Sequence, residues 1–462
     1  MISPVSPEIL GVLNKFLTIF SPVKYKSLSI PRILIYDFVK YILTTPAKIE
    51  NLLSSNAVYP IELIKLQNIL NPDYPEPVFS KGKVLLDGWM QENIPDSMKQ
   101  LCLKAPFTQK TNVARNEILK VHDVLNQLLK TIPTDLPLFS EPSFQTWMKQ
   151  HITPTVIAIE GIINQIAAIQ PSCIALLGNQ YFLHYRIVGE YAKVFRIPSL
   201  AYAPNTLLNT DDCAAGFLTI PLITYFYTPW GREHKDWLLR FGAPPQRIIP
   251  IGCARFDRYP VQSGLKNEDI RNIMGFNGMD YLILGDQQVK EKEAVFRMIW
   301  EAIKDDPSLG IIVKLHPHYE QFITDYQKWC DHSSRVKFIP PLSLSLEDIL
   351  NARPLALVTY FSTVGVEAAY YQIPVLTPVI EGPKPPYLFH PSGGSIPVKS
   401  AFEAAEAINK LRVDKLYHDK ILERQKEYLN YVSVPDGKAA KRFFDLLNMM
   451  AEGTKPLFNQ DL

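Results

Sequence analysis

Short apolar runs alternate with helical segments of about ten to fifteen residues from residue 171 to residue 411 of this chain. Such alternation predicts strand–helix–strand units with right-handed crossovers, and therefore parallel sheets covered by helices. Open parallel sheets bind ligands outside the carboxyl ends of their strands, so the polar residues that follow the apolar runs become candidate site residues. The predicted strands are 173–177, 197–202, 223–227, 247–251, 281–284, 311–313, 336–339, 356–359 and 373–376.

The length of the chain, 462 residues, exceeds what one hydrophobic core usually supports, so two domains are expected. The segment Gly252–Asp257 is predicted to connect two sheets, because a new alternation opens at Tyr281. We therefore predict an α/β protein with two Rossmann-like parallel-sheet domains that face a cleft. The first domain is expected at 1–255 and the second at 256–415, and C-terminal helices at 416–462 are predicted to pack back on the first domain.

The first 150 residues follow this pattern less clearly. Apolar residues predict strands at Arg32–Tyr36 and at Lys83–Leu86. Helical spacing predicts a long helix over Phe144–Ile169 that is interrupted near Pro154. The helix predicted at Ile9–Phe20 has an apolar face, for which packing on its own domain is favoured and contact with a membrane surface is the alternative.

The composition excludes several classes of protein. A formal net charge of +2 produces no strong field, so nucleic acid is not an expected partner. The five cysteines are scattered without CxxC spacing, which indicates reduced thiols in a cytosolic protein and no zinc site or disulfide framework. No run of about 18 apolar residues occurs, and the amino terminus lacks the order of a signal peptide. A cytoplasmic location is expected, with peripheral association at the inner membrane face as an alternative.

Neither common glycine-rich phosphate loop, GxxxxGK[ST] or GxGxxG, is present. A bound phosphate would then contact helix amino termini, side chains, or both. The turn Ser362–Gly365 joins the predicted strand 356–359 to a helix, where backbone N–H groups and two hydroxyls favour an anion. The alternative is that Ser362 or Thr363 only caps the helix.

Two further groups follow the same pattern of polar residues at strand ends. The segment Lys314–Pro317 follows the predicted strand 311–313, so that His316 can donate to a phosphate oxygen and Lys314 can supply positive charge. The alternative for His316 is a structural histidine. Glu367 lies five residues after Ser362 and suits the paired hydroxyls of a ribose or sugar; the alternative is a favourable helix-dipole partner.

Three segments of the chain resemble the carboxyl-terminal half of GT-B-fold glycosyltransferases: Gly252–Asp257, Lys314–Pro317, and Ser362–Ala369 followed by Ile373–Val375. The most similar groups are surface and capsular polysaccharide enzymes, including sialyl- and Kdo-transferase-like proteins, whose His-Pro and Ser/Thr motifs contact the nucleotide phosphates. UDP-N-acetylglucosamine 2-epimerases share the fold, a similar His-Pro, and a Ser-containing turn with a following Glu that holds the ribose. The resemblance covers about 170–415 and implies the GT-B fold.

The resemblance also implies roles for individual residues. It places His316, Ser362 and Thr363 at the phosphates and Glu367 at or near the ribose. The loop 340–346 would lie near the base, and Gly285–Gln288 would face the interdomain cleft. The nucleotide sugar is a substrate, so no cofactor is expected. The predicted nucleotide-binding residues are Gly285, Gln287, Lys314, His316, Ser362, Thr363, Gly365 and Glu367.

Two positions depart from the patterns of these families. The predicted strand 197–202 is followed by Ala203–Asn205, where many relatives have a Gln-His-Gly-like turn. Ala368 follows Glu367, so the paired acidic residues after the epimerases' Ser-Gly-Gly turn are not matched. The second difference favours glycosyl transfer over epimerisation, and the first leaves the acceptor-side group open.

Glycosyl transfer requires a base for the acceptor hydroxyl and charge stabilisation for the departing nucleotide. No DxD-like metal pair occurs, because Asp211–Asp212 are adjacent and Asp305–Asp306 lie at a helix end. A metal-independent mechanism is therefore predicted. The base is expected at the carboxyl edge of the first domain, where Asp211, Asp212 and His184 are the candidates. Asn179 and Glu190 lie in the same region, and for all five a structural or surface role is the alternative.

The sequence thus predicts a glycosyltransferase that moves a sugar from a CMP- or UDP-sugar donor to a glycan or lipid-linked acceptor in surface polysaccharide assembly. Two alternatives stay open. The first is a nucleotide-sugar epimerase or hydrolase of the same fold. The second, supported by the weak set of acceptor-side candidates, is a non-catalytic GT-B-like scaffold.

Overall fold

The computed structural model of this protein describes residues 7–43, 74–87, 102–105, 111–133, 136–178, 182–203, 223–240, 243–260, 264–276, 278–285, 291–314, 323–330, 333–339, 344–360, 362–380 and 393–456. The chain divides into two compact units. The first unit is Met1–Ile251 with Ala440–Leu462, and the second unit is Gly252–Ala439.

The first unit contains a parallel sheet of five described strands and a separate antiparallel pair of two short strands. Its elements up to the unit boundary are α1 (Pro7–Ile19), β1 (Lys24–Tyr25), β2 (Leu28–Ser29), α2 (Ile30–Leu43), β3 (Val84–Asp87), β4 (Cys102–Ala105), α3 (Arg115–Thr131), α4 (Pro137–Ser140), α5 (Pro142–Ile169), β5 (Cys173–Leu177), α6 (Leu183–Val194), β6 (Ser199–Tyr202), β7 (Phe226–Thr228) and α7 (Arg232–Arg240). The strands lie in the order β4–β3–β5–β6–β7.

The second unit contains a sheet of six described strands, all parallel. Its elements are α8 (Asn267–Met274), β8 (Asp280–Gly285), α9 (Lys292–Ile303), β9 (Leu309–Lys314), α10 (Ile323–Cys330), β10 (Val336–Ile339), α11 (Leu346–Asn351), β11 (Ala356–Val358), α12 (Val364–Tyr370), β12 (Val375–Pro378), β13 (Ile396–Val398), α13 (Ala401–Val413) and α14 (Lys415–Val432). The strands lie in the order β10–β9–β8–β11–β12–β13. The last helix of the chain, α15 (Ala439–Ala451), extends into the first unit.

The central strands β8, β9, β11 and β12 of the second sheet are buried on both faces, which explains their continuous apolar sequences. Leu282, Ile311 and Val358 belong to a core on one face, and Ile283 and Ile312 belong to a core on the other. The prediction of two Rossmann-like parallel-sheet domains in an α/β protein is confirmed.

Three helices of the second unit begin at side-chain caps that the sequence supplies. Ser345 and Asp348 form a reciprocal capping box at α11. Ser400 accepts the Glu403 N–H at 3.2 Å to cap α13, and Asp414 caps α14. These caps fix where the helices start. The capping box at α11 also positions the residues on either side of the start of that helix, near the end of β9.

The strand predicted at Arg32–Tyr36 is wrong, because these residues lie within the helix α2. The apolar run continues to Phe38, Val39 and Ile42, and all three side chains are buried as the helix packs on α1 and α6. Pro31 is compatible with a helix here because it lies in the first turn, where its missing N–H is not needed. The face of α1 that carries Phe16 is also buried in the first unit.

The interruption predicted near Pro154 is also wrong, since α5 is one continuous helix of 28 residues. Proline inside a helix costs about 3 kcal/mol. Buried side chains on both sides of it, including Ile152 and Val156, offset that cost by packing against the neighbouring helices. In the described part of the chain, α5 is also the one helix whose length and composition would suffice to cross a membrane.

The strand predicted at 247–251 does not form either. Pro245–Arg247 is a 3₁₀ turn, and only an isolated bridge joins Ile248 to Tyr227 of β7. The Ile249 and Ile251 N–H groups donate to carbonyls of Tyr227 and Pro229, and the intervening Pro250 has no N–H for a strand on its other side.

The units divide the C-terminal helices differently from the predicted segment 416–462. Helix α14 packs on α12 and α13 within the second unit, where Gln425 donates to the carbonyl of Ile373 at 3.2 Å. Helix α15 instead covers one face of the first sheet through Phe443 and Leu447. The return to the first unit therefore involves α15 and not α14.

Candidate functional site

The second sheet has a topological switch point between β8 and β11. From β8 the chain moves outward through β9 to β10, then returns to β11 on the opposite side of β8 and continues to β13. In sheets of this type, ligands bind outside the carboxyl ends of the strands that flank the switch point. The flanking strand ends here are Gly285 of β8 and the turn Ser362–Thr363, which follows β11 and leads into α12.

Gly285 allows the start of α12 to approach the end of β8 closely. A Cβ atom at position 285 would lie 3.0 Å from Cγ1 of Val364, the first residue of α12, which is tighter than ordinary van der Waals contact. The neighbouring pair in the sheet is Gly285 and Lys314, at the ends of β8 and β9. Three of the predicted strand-end groups therefore lie side by side at one edge of the sheet.

The Ser362–Thr363 turn holds α12 by a mixture of backbone and side-chain bonds. The Ser362 N–H donates to Oγ1 of Thr359 at 3.2 Å, and Oγ of Ser362 accepts a long bond of 3.4 Å from the Val364 N–H. The Gly365 N–H donates to the Ser362 carbonyl at 3.0 Å. Thr363, at the N-cap position, makes no side-chain capping bond. Ser362 therefore caps α12 only weakly, and the Thr363 hydroxyl does not cap it.

Glu367 lies one turn into α12 and is buried at 8% exposure. Nη2 of Arg255 donates to Oε1 of Glu367 at 2.9 Å, and the Tyr259 hydroxyl lies 3.3 Å from Oε2. The same hydroxyl lies 2.9 Å from Oε1 of Glu347, in the first turn of α11. We call these four residues, Arg255, Tyr259, Glu347 and Glu367, the Tyr259 cluster. It joins the first segment of the second unit to two helices at the carboxyl edge of the sheet.

Burial is the main cause of the raised pKa of the Glu367 carboxyl, and the nearby Glu347 carboxylate adds to it. The Arg255 guanidinium and the Tyr259 hydroxyl act in the opposite direction. The pKa of the Tyr259 hydroxyl is raised as well, first by burial and then by the charge of Glu367. Tyr259 is therefore a neutral donor between two acidic groups.

The Lys314 side chain is directed to the start of α11. Its Nζ donates to the Leu344 carbonyl at 2.9 Å. Burial lowers the pKa of this ammonium group, and the Glu347 carboxylate opposes that effect. Lys314 thus links the end of β9 to the helix that carries a member of the Tyr259 cluster.

The effect of Glu367 on stability has a definite pH dependence. Its pKa is higher in the folded than in the unfolded chain, so the stability linked to its protonation is present below the ordinary value of 4.5 and is lost as pH rises through the folded value. In urea unfolding between pH 4 and 8, we expect Glu367→Gln to gain stability relative to wild type as pH rises. Glu301→Gln, a change at an exposed carboxylate, should follow wild type. Parallel curves for Glu367→Gln and wild type would contradict this assignment.

Of the acceptor-side candidates, His184 lies in the first turn of α6, after β5. Its ring contacts those of Phe182 and Tyr185, at centroid distances of 5.4 and 4.2 Å. Glu190 lies in the body of the same helix, where Oε1 accepts the Ser29 N–H at 3.4 Å and Oε2 lies 3.7 Å from Nζ of Lys193. Glu190 is therefore a structural residue, whereas His184 occupies the carboxyl edge where a base is expected.

Two titratable residues at the same edge were missed by sequence analysis. Glu233 and His234 lie in the first turn of α7, directly after β7. Burial raises the pKa of the Glu233 carboxyl to about 7 and lowers the pKa of the His234 imidazole to about 3. A carboxyl that gains and loses a proton near neutral pH has the property required of a general base. In the sequence, Glu233 could be recognised as a candidate only as an acidic residue two positions after Gly231.

Several predicted residues lie outside the described part of the chain, namely Asn179, Asp211, Asp212, Gln287, His316 and the loop 340–343. Their assignments stay predictions. Among the described residues, no group of three or more His, Cys, Asp or Glu side chains could hold a metal ion.

No protein-family model and no curated protein matches the chain. Several solved structures match the chain. A Listeria monocytogenes protein named as a UDP-N-acetylglucosamine 2-epimerase matches with a TM-score of 0.53 and 16% identity, over 82% of this chain and 99% of that chain. Staphylococcal (S. aureus) MnaA, solved with UDP, matches with a TM-score of 0.52 and 14% identity, over 82% and 100%. The Neisseria meningitidis UDP-GlcNAc 2-epimerase bound to UDP-GlcNAc matches with a TM-score of 0.50 and 14% identity, over 80% and 100%. The predicted GT-B fold is confirmed.

Proposed function

We propose that this protein is a metal-independent glycosyltransferase that binds a nucleotide sugar at the switch point of the second sheet. The acceptor is a glycan or a lipid-linked acceptor in surface polysaccharide assembly. The observation that carries the proposal is the alignment of Gly285, Lys314 and the Ser362–Thr363 turn along one carboxyl edge, which is where a sheet of this order binds its ligand. The similar proteins that hold UDP or UDP-GlcNAc support a nucleotide sugar as that ligand.

Each group in the proposed site supplies a distinct chemical function. The Ser362 and Thr363 hydroxyls are proposed to donate to phosphate oxygens, together with His316. Lys314 places positive charge behind the phosphates while its ammonium is oriented by the Leu344 carbonyl. Stabilising the negative charge of the departing nucleotide in this way is a large part of catalysis in transfer reactions. The two carboxylate oxygens of Glu367 can accept about four hydrogen bonds, and Arg255 and Tyr259 supply two of them.

A base is proposed to take the proton of the acceptor hydroxyl. Asp211, Asp212 and His184 are the candidates from the sequence, and Glu233 joins them because it lies in the first turn of α7, after β7, where burial raises the pKa of its carboxyl to about 7. A base with such a pKa accepts the proton of the acceptor hydroxyl efficiently at neutral pH. The carboxyl group then carries this proton and returns to the carboxylate form by releasing the proton to solvent.

Nucleotide binding is tested by thermal unfolding in the presence of CMP, CDP, UDP and, as a control, AMP. A ligand at 100 times its Kd stabilises the native state by about 2.7 kcal/mol, which corresponds to roughly 5–10 °C for a unit of this size. We expect one pyrimidine nucleotide to produce such a shift, and the base of that nucleotide is then the base that the site prefers. If all four leave the transition unchanged, the nucleotide site is absent and the scaffold is the better description.

An epimerase or hydrolase acting on the nucleotide sugar is the second candidate, because similar solved structures are named as 2-epimerases. Incubation with the donor alone distinguishes the two. A transferase is expected to hydrolyse the donor slowly to the unaltered sugar, since water replaces the missing acceptor. Recovery of a nucleotide sugar with changed configuration would contradict glycosyl transfer.

A further inference from the structure

Arg255 is held in place on two sides. Its Nη2 donates to Oε1 of the buried Glu367 at 2.9 Å, and its guanidinium carbon lies 4.8 Å from the centroid of the Phe256 ring. Phe256 itself is buried, so the ring is a fixed surface. A carboxylate on one edge and an aromatic face beside it leave the guanidinium few orientations.

The other edge of Arg255 is open to solvent. Its side chain is 51% exposed, compared with 10% for the Glu367 side chain that it contacts. A guanidinium carries five N–H donors in a planar fork, and the bond to Glu367 uses one of its two terminal nitrogens. A charged, oriented and partly exposed fork is the arrangement that proteins use to bind phosphate oxygens.

Arg255 is also close to the switch point. Glu367 lies four residues after Thr363, a rise of about 6 Å along the helix. Residues four apart lie on the same side of a helix, so Arg255 is bound one turn from the residue that begins α12, on the side that faces the turn assigned to the phosphates. The Tyr259 hydroxyl lies 3.3 Å from the second oxygen of Glu367 and 2.9 Å from Glu347, so its single proton is shared between the two carboxyl groups.

We propose that Arg255 binds a phosphate oxygen of the nucleotide, and that Glu367 is the positioning residue that orients Arg255. The inference rests on the proposed function, because it names a further binding residue at the same site. It changes the role of Glu367, which sequence analysis placed at or near the ribose. Arg255 offers the phosphate the N–H donors that do not contact Glu367, in a fixed orientation.

The test compares calorimetric Kd values for a nucleoside and its nucleotides, uridine with UMP and UDP, and cytidine with CMP and CDP. For the base that wild type binds, Arg255→Gln should weaken the nucleotides about 30-fold or more and change the nucleoside less than 2-fold. Arg255→Lys should restore part of the loss, because charge is kept without the fork. Arg258→Gln removes a neighbouring exposed arginine and should leave every Kd at the wild-type value.

The position of Glu367 is tested by the same ligands. Glu367→Gln should weaken nucleotides by about 10-fold and spare the nucleoside, and the double variant should be no weaker than Arg255→Gln alone. Equal losses for nucleoside and nucleotide in Glu367→Gln would return this residue to the ribose and overturn the inference. An unchanged nucleotide Kd in Arg255→Gln would overturn it as well. If wild type binds none of the six ligands, the proposed function fails, and the inference with it.

Discussion

Replacement of His316 by alanine is expected to weaken nucleotide binding by about 100-fold and to leave the fold intact. His316 follows β9 by two residues, next to Pro317, and β9 lies beside β8 at the switch point. Loss of a hydrogen bond to a charged phosphate costs about 1.5–3 kcal/mol, and each 1.4 kcal/mol is a tenfold change in Kd. The measurement is calorimetry with the pyrimidine nucleotide that stabilises wild type most.

His318→Ala is the matched control, because it removes the same side chain two residues further along the same segment. We expect it to change Kd by less than about 3-fold, since no ligand role is predicted for it. Both variants are expected to unfold within about 0.5 kcal/mol of wild type in urea, so that a change in Kd reports on binding and not on folding. If His316→Ala binds the nucleotide as tightly as wild type, His316 is not part of the site.

The second sheet was largely predictable because strands buried on both faces have continuous apolar sequences. Strands β8, β9, β10 and β11 all lie within two residues of their predicted bounds. Strand β13 was missed, and its sequence explains why. It has three residues, and the central one, Pro397, is exposed, which a sheet accepts only at its edge.

The order of the strands could not be derived from alternation alone. Alternation predicts parallel neighbours, but it does not state that β11 returns to the far side of β8. That return brings Gly285 beside Val364, and the two residues are 79 positions apart in the chain. The candidate site was therefore predicted as a set of strand ends, and the sheet order explains why those ends are neighbours.

The partners of Glu367 were hidden for a similar reason. Arg255 and Tyr259 are 112 and 108 residues from it in sequence, and both belong to the segment that opens the second unit. The resemblance included Arg255 within the Gly252–Asp257 segment without giving it a role. Only the fold shows that this segment reaches the side of α12, so the carboxylate has a cation before any ligand arrives.

Replacement of Gly310 by alanine is expected to reduce the free energy of unfolding by about 3 kcal/mol, the largest stability effect predicted for a single methyl group here. A Cβ atom at this position in β9 would lie 2.0 Å from Cε1 of Phe276 and 2.9 Å from the Arg335 carbonyl oxygen. Phe276 is fully buried, and the Arg335 carbonyl accepts the Ile311 N–H at 2.9 Å. Neither neighbour can move without disturbing the core or the β9–β10 ladder.

Any Gly→Ala change also reduces the conformational entropy of the unfolded chain, which stabilises the protein. Gly264→Ala is the control for that effect. A Cβ at Gly264 meets nothing within 4 Å, so this variant should be neutral or up to about 1 kcal/mol more stable than wild type. Urea unfolding measures both changes. Strand β9 ends at Lys314, and His316 follows two residues later, so both proposed ligand residues depend on its position. A saturating nucleotide should therefore recover part of the stability lost in Gly310→Ala, because a ligand that binds only the native state stabilises it. Equal stability of the two variants would show that β9 does not pack against Phe276 as described, and the strand-end site would lose its support.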